Sequence, residues 1–332
     1  MTAAPRYTGL KAELIPAAKL AENRQQHANH LVAVVSYGNV AIDQQLTSAL
    51  QVNINLPQLA DQQLVEIWTS DAETRQCKKL DIEYRANPHM LIGFIQADEK
   101  SALEHSVFSA YQQVLDLIQE EGYPHLIRTW NYFAGINDQE NGRERYQSFC
   151  TGRQQAYTEA NFFPQQDFPA ATVIGTASGS FTLYFLASRE PGLHCENPRQ
   201  ISAYHYPRQY GPVSPSFSRA LLQTGDQQQL LYLSGTASII GHASIHLNDP
   251  VQQTMEIAQN IRTLIEHANN TYKTAVSRHN ARMLKVYIRD REHYLTVKNT
   301  VEQQFGKHTP ILYLQGDICR QDLLVEIEGL FE

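Results

Sequence analysis

The sequence is short of the features that most quickly identify a protein. Its 332 residues include four cysteines, Cys77, Cys150, Cys195 and Cys319, widely scattered. No CxxC pair or Cys/His cluster is present, so neither a zinc site nor a disulfide framework is expected. Basic residues do not predominate: 27 Lys and Arg stand against 34 Asp and Glu, a formal charge of −7. That balance argues against a nucleic-acid partner, which normally needs a basic face. It leaves an anionic small molecule open, because a few arginines set the potential of a pocket. No apolar run is long enough to span a bilayer, and MTAAPRYTGLKAEL at the N-terminus lacks the apolar stretch of a secretory signal. The expectation is therefore a cytoplasmic protein with free thiols and no membrane contact. There is no P-loop and no glycine fingerprint after a strand, so no cofactor and no metal is expected. His27 and His30 in HANH have ligand spacing, but solvated histidines ahead of a strand are the commoner meaning of so thin a motif.

What is present is an ordinary globular composition, 42% hydrophobic and 18% charged, in an element order that occurs twice. In the second half, LLYLSGTASIIGH reads as a strand and DPVQQTMEIAQNIRTLIEHANN as a helix, with Asp249 as N-cap and Pro250 at the first helical position. Ile257, Ile261, Leu264, Ile265 and Ala268 fall on one face of it. MLKVYIRD is a strand, REHYLTVKNTVEQQFG a helix stopped by Gly306, and TPILYLQGD and LLVEIEGLF close the unit as strands. The first half repeats this order. HMLIGFIQAD is a strand, and the next helix places Val107, Tyr111, Val114 and Ile118 on one face and stops at Gly122. LIRTWNYFAGIN, GRERYQSFCTGRQQAYTEA, AATVIGTASG and FTLYFLAS then follow as strand, helix, strand and strand, while HLVAVVSYG and LVEIWTSD add strands upstream. Strand–helix–strand–helix–strand–strand in each half predicts an α+β fold of two pseudo-duplicated mixed-sheet units, each with helices on one face. The expected division is 1–190 and 191–332, at the Pro/Gly-rich SREPGLHCENPRQ.

The chain ends in GDICRQDLLVEIEGLFE. Glu326 and Glu328 are two apart, so on a strand they share a face. Pattern alone favours a solvent-facing carboxylate at both. If Glu326 were instead buried among Val325, Ile327, Leu330 and Phe331 beside a like charge, its pKa would rise towards neutrality, as a general acid requires. Cys319 is open to two readings: a small buried hydrophobe or a thiol acting in a site.

The second half resembles the YjgF-type (RidA-like) imine deaminases, a chorismate-mutase-like fold, in YGPVSPSFSRA, LLYLSGTASI and LLVEIEGLF. Over nearly the whole chain the sequence resembles the chorismatases, in RTWNYFAGIN, GRERYQSFCTGR, SAYHYPRQYGPVSPSFSRA, SGTASIIGHAS and GDICRQDLLVEIEG. That resemblance implies an enzyme that removes the enolpyruvyl group of chorismate as pyruvate. It implies Glu326 as the catalytic carboxylate, and Cys319 as the cysteine that accompanies subtypes forming hydroxybenzoate. A substrate with two carboxylates needs cations and donors. Arg153, sharing a helix face with Tyr146, is the expected arginine, with Arg143 and Arg145 solvated or paired. The loop residues Tyr204, Arg208 and Tyr210 are expected to contribute, as are Gly235, Thr236 and Ala237, where a glycine in a strand permits close approach. The expected product is 3-hydroxybenzoate, with 4-hydroxybenzoate as a further product. The rivals are a chorismate hydrolase releasing a dihydrodiol acid, an imine or enamine deaminase, and a non-catalytic binder, since fold alone does not fix function. A monomer is expected, with the duplicated halves burying each other's faces.

Overall fold

The computed structural model describes residues 9–20, 22, 30–40, 42, 49–98, 102–163, 167–225 and 229–332; His27 of the HANH pair lies outside them. Three sheets organise the chain. The first has strands β1 (Leu10–Pro16), β2 (Leu31–Tyr37), β3 (Leu50–Ile54) and β4 (Leu64–Ser70) in the order β1-β4-β2-β3. The second contains β5 (Arg75–Lys79), β6 (Ile82–Ala86), β7 (Met90–Ala97), β8 (His125–Ala134), β11 (Ala170–Thr176) and β12 (Phe181–Ser188). Helices α1 (Leu103–Glu120) and α2 (Arg145–Glu159) belong to it, and β9 (Gln139–Glu140) pairs with β10 (Arg143–Glu144) just before α2. The third contains β13 (Leu193–Cys195), β14 (Ala220–Thr224), β15 (Gln229–Ala237), β18 (Ala281–Ile288), β19 (Ile311–Gln315) and β20 (Val325–Phe331), with α3 (Pro250–Tyr272) and α4 (Tyr294–Phe305). A short hairpin, β16 (Ile239–Ile240) and β17 (Ala243–Ser244), follows β15.

The expected duplication is visible as topology. The second sheet runs β11-β8-β12-β7-β6-β5 and the third β19-β18-β20-β15-β14-β13. In each, the outer pair is parallel (β11 with β8, β19 with β18) and every other pairing is antiparallel. Reading one order against the other matches strand to strand by place in its unit. The α+β class holds, with local signals as expected: the Asp249 carboxylate accepts the Gln252 N–H at 2.9 Å to cap α3.

Strand alternation decides which face each side chain serves. On β18, Leu284, Val286 and Ile288 pack under the helices, and Met283, Lys285 and Tyr287 turn the other way. One face of each of the three sheets contributes to a single central core containing Trp68, Trp130, Tyr132, Tyr184, Tyr232 and Tyr287; in the second and third sheets it is the face away from the helices. Backbone bonds tie the sheets together there: Gly175 N–H to Asp317 O at 2.8 Å and its reciprocal at 3.0 Å, and Gln315 N–H to Pro57 O at 2.8 Å. Among the described residues no helix is long and apolar enough to cross a membrane.

Candidate active site

A cavity of about 490 Å³ opens where the two halves meet. Asn137, Glu144, Tyr146 and Gln147 come from the first half; Gly235 and Ala237 of β15, Cys319, Arg320 and Glu326 come from the second. The loop before β14 contributes Tyr206, Tyr210, Phe217 and Arg219.

The floor is built by an irregularity. β15 and β20 slip in register between Leu233 and Thr236, leaving Ser234 and Gly235 outside the regular pairing. Glu326, paired with Ala237, lays its carboxyl over the glycine: a Cβ on Gly235 would sit 2.0 Å from Glu326 Oε1. No side chain except hydrogen leaves that space. Glu326 is 5% exposed. Burial pushes its pKa up to about 8, helped by the charge of Glu328 and opposed by Arg128. The carboxyl is thus largely protonated at neutral pH, with a proton to give.

Glu328 is the opposite case. The face of β20 that carries both residues turns into the central core, so Glu328 is 1% exposed rather than solvated. This corrects the expectation of a surface carboxylate. It accepts from Thr172 Oγ1 at 2.5 Å, Tyr287 OH at 2.7 Å and Lys285 Nζ at 3.1 Å, and pairs with Arg128. Burial alone would raise its pKa, but Lys285 and Arg128 outweigh burial and hold it below the ordinary carboxylate value. Two carboxylates on one strand face therefore differ in protonation state, the arrangement acid catalysis exploits.

Cys319 is half-buried beside Glu326. Burial, reinforced by Glu326, pushes its thiol up to about 12. It stays an S–H group at neutral pH, suited to proton exchange or to excluding water, not to nucleophilic attack. Burial likewise keeps the Tyr146 phenol neutral, and its ring stacks on Phe149 at 6.3 Å. Arg320, next to Cys319 in the chain, lies 3.9 Å over the Tyr210 ring, and its Nη1 donates to His242 O at 2.9 Å. The Tyr210 hydroxyl meets His242 Nδ1 at 3.0 Å. Arg219 Nη2 donates to Tyr206 OH at 2.7 Å and to Ile201 O at 2.9 Å.

Of the residues singled out from sequence, Glu326, Cys319, Tyr146, Tyr210, Gly235 and Ala237 line this cavity, and Arg153, Tyr204, Arg208 and Thr236 do not. Arg153 lies two helical turns beyond Tyr146, roughly 10 Å along the axis. It is 0% exposed, with its guanidinium 4.7 Å over Phe149 and no hydrogen-bond partner for any of its three nitrogens. Tyr204 packs on Phe168 at 5.5 Å and lines a separate cavity with Tyr157 and Phe163. Arg208 is exposed. Thr236 alternates to the other face of β15 and donates to Ser234 O at 2.9 Å. Arg143 and Arg145 pair with Glu104 and Glu140. The arginines in the wall, Arg219 and Arg320, were not singled out; both lie inside quoted motifs, SFSRA and GDICRQD, but only folding brings them together. Among the described residues no group of three or more His, Cys, Asp or Glu is arranged to hold a metal.

A family model described as chorismatase FkbO/Hyg5-like, N-terminal, matches residues 66–187. The chain is 34% identical over 314 residues to a 3-hydroxybenzoate synthase of Streptomyces hygroscopicus, covering 91% of each chain. It is 35% identical over 283 residues to a chorismatase of Streptomyces rapamycinicus, covering 81% of this chain and 83% of that one. A crystal structure of a chorismatase superposes with a TM-score of 0.89 at 29% identity, over 98% of this chain and 99% of the other. Fold and sequence similarity over most of the length agree: the chain belongs to the chorismatase family.

Proposed function

We propose that the protein converts chorismate into 3-hydroxybenzoate and pyruvate, acting as a cytoplasmic monomer without cofactor and built of two units, 1–190 and 191–332, with the cavity between them. The observation that carries this reading is Glu326, a buried carboxyl still protonated near neutral pH on the cavity floor, beside a neutral thiol. Glu326 protonates the terminal methylene of the enolpyruvyl ether, which places an oxocarbenium-like centre on the adjacent carbon. The neighbouring ring hydroxyl then attacks the ring carbon that bears the ether, its proton returning to Glu326. That ring carbon–ether oxygen bond breaks, and pyruvate leaves with the ether oxygen as its keto oxygen. The epoxide-like ring species opens to the phenol as a ring carbon gives up a proton and the oxygen takes one up. The two products together contain all the atoms of chorismate, so no water is consumed. Cys319 guides this course by relaying a proton or keeping water away. Arg219 and Arg320 face the substrate carboxylates, and the neutral phenols of Tyr146 and Tyr210 supply further donors.

The test is to supply chorismate, couple pyruvate release to lactate dehydrogenase, and identify the ring product by NMR. The expected result is stoichiometric pyruvate and an aromatic 3-hydroxy acid. A non-aromatic dihydrodiol would transfer the protein to the hydrolytic class, and absence of pyruvate would sink the reading.

A further inference from the structure

Behind the cavity lies a cluster of ionised groups that the proposed chemistry does not touch. Glu66 of β4 accepts from Trp68 Nε1 at 2.7 Å, Tyr37 OH at 2.8 Å and Lys285 Nζ at 2.8 Å. Lys285 of β18 also reaches Glu328 at 3.1 Å and donates to Tyr184 OH at 2.7 Å. Glu328 pairs in turn with Arg128 of β8. None of the four side chains is more than 1% exposed. Two carboxylates and two cations thus make one chain through all three sheets, Glu66–Lys285–Glu328–Arg128, in which Glu328 lies two residues from Glu326. Apolar side chains of similar volume often stabilise a core as well as such a chain does, so stability is a weak reason for its presence.

We propose that Glu66, Lys285 and Arg128 are positioning residues for the acid: they fix Glu328 as a permanent anion beside Glu326, and so tie the proton on Glu326 to the packing of the N-terminal sheet. This rests on reading Glu326 as the acid. Without cations, two neighbouring buried carboxyls would share the available proton, and neither would be a defined donor. Lys285 and Arg128 assign the charge to Glu328. Glu66 takes part of the Lys285 charge, so the field of Glu328 at Glu326 is not cancelled.

The other neighbours of Glu326 leave this assignment intact. Tyr287, its partner on β18, gives its hydroxyl to Glu328. β15 presents Gly235 and Ala237, which do not titrate. The Cys319 thiol and the Tyr146 phenol are neutral at pH 7. Glu144, also in the cavity wall, accepts from Asn137 Nδ2 at 3.0 Å, Arg219 donates to Tyr206 of the loop, and Arg320 donates to His242 O in the β16–β17 turn. Of the charged groups around it, Glu328 and Arg128 act on the Glu326 proton most directly, and Lys285 and Glu66 act behind them through Glu328.

The test reads carboxyl titration directly, by NMR of protein carrying ¹³C at the glutamate side-chain carboxyls, with Glu326→Gln identifying its resonance. In the unaltered protein Glu326 must titrate near 8, while Glu328 stays ionised through the neutral range. Glu328→Gln should move the Glu326 titration down by at least one unit, a tenfold change in its ionisation constant. Glu66→Gln, which leaves a net positive network, should move it down by less. Glu66→Gln/Lys285→Met, which restores balance, should return it to the wild-type pH or above. The high-pH fall of kcat/KM should follow in the same order. The proposal is overturned if Glu326 is ionised at pH 7 in the unaltered protein, or if its titration is the same in every folded variant. If Glu328→Gln does not fold, the other two variants and the unaltered protein decide the matter. Should Glu326→Gln keep full turnover while the carboxyl titrations follow this order, the network stands and the acid assignment falls.

Discussion

Gly235→Ala is the sharpest perturbation the site offers. The new Cβ would sit 2.0 Å from Glu326 Oε1, where ordinary van der Waals contact begins at 3.4 Å, so the carboxyl must retreat by about 1.4 Å. Retreat is open to it, because the obstructing atom is the far end of a flexible side chain; the nearest atom of any other residue, Thr172 Oγ1 at 3.3 Å, is slightly tight and must give by a small fraction of an ångström. The fold should survive: replacing a strand glycine by alanine recovers roughly 0.5–1 kcal/mol of chain entropy, which offsets part of the displacement. Catalysis should not. A misplacement of ~1 Å costs on the order of 10²-fold in rate, so the rate of 3-hydroxybenzoate formation should fall by about that factor or more. Single-turnover chromatography of the aromatic product and scanning calorimetry of the same sample give both quantities. Wild-type aromatic product formation in a folded Gly235→Ala protein would refute the argument that the bulge holds the acid in place. Loss of the fold would refute the claim that only a side-chain end stands in the way.

Other outcomes follow from the same geometry. Glu326→Gln should lower turnover by roughly 10²–10⁴-fold, the usual range for a lost general acid, with the melting temperature at pH 6 unchanged or raised. The Glu326 pKa is raised on folding, from 4.5 to about 8. Its neutral form is therefore fully accommodated below pH 4.5, and stability is lost as pH rises towards 8. Over that window the loss amounts to roughly 5 kcal/mol, and denaturant titrations should show Glu326→Gln relieving it at pH 9 but not at pH 4. Cys319→Ala should shift the ratio of aromatic to dihydrodiol product, read by ultraviolet absorbance, while pyruvate release continues; an unchanged ratio would leave the thiol a packing residue. Arg128→Met leaves Glu328 short of a cation in the core and should cost about 3–5 kcal/mol in urea unfolding.

Much of this molecule is legible along the chain because the signals are local. Asp249 before Pro250 caps a helix wherever it occurs, and the spacing of Ile257, Ile261, Leu264 and Ala268 fixes which face is apolar. The element order of the two halves was enough to imply two like sheets, and strand alternation placed Glu326 and Glu328 on one face. What no local pattern carries is which side of a sheet becomes the interior. Glu328 reads as a surface carboxylate because only partners from β8, β11 and β18 reveal that its face is covered. Arg153 was expected in the site because it shares a helix face with Tyr146, but a helix face is long and the cavity touches only its first turn. Arg219 and Arg320 are about 100 residues apart in sequence, and the fold brings both guanidinium groups to the Tyr206 ring.

The sequence by itself determined the elements, their order and the family, since each depends on neighbouring residues or on similarity along the chain. Tertiary structure alone decided which of two identical side chains on one strand keeps its proton. That outcome depends on burial and on charges brought from three sheets, and electrostatic energy at a buried site is set by distance in space, not by distance along the chain.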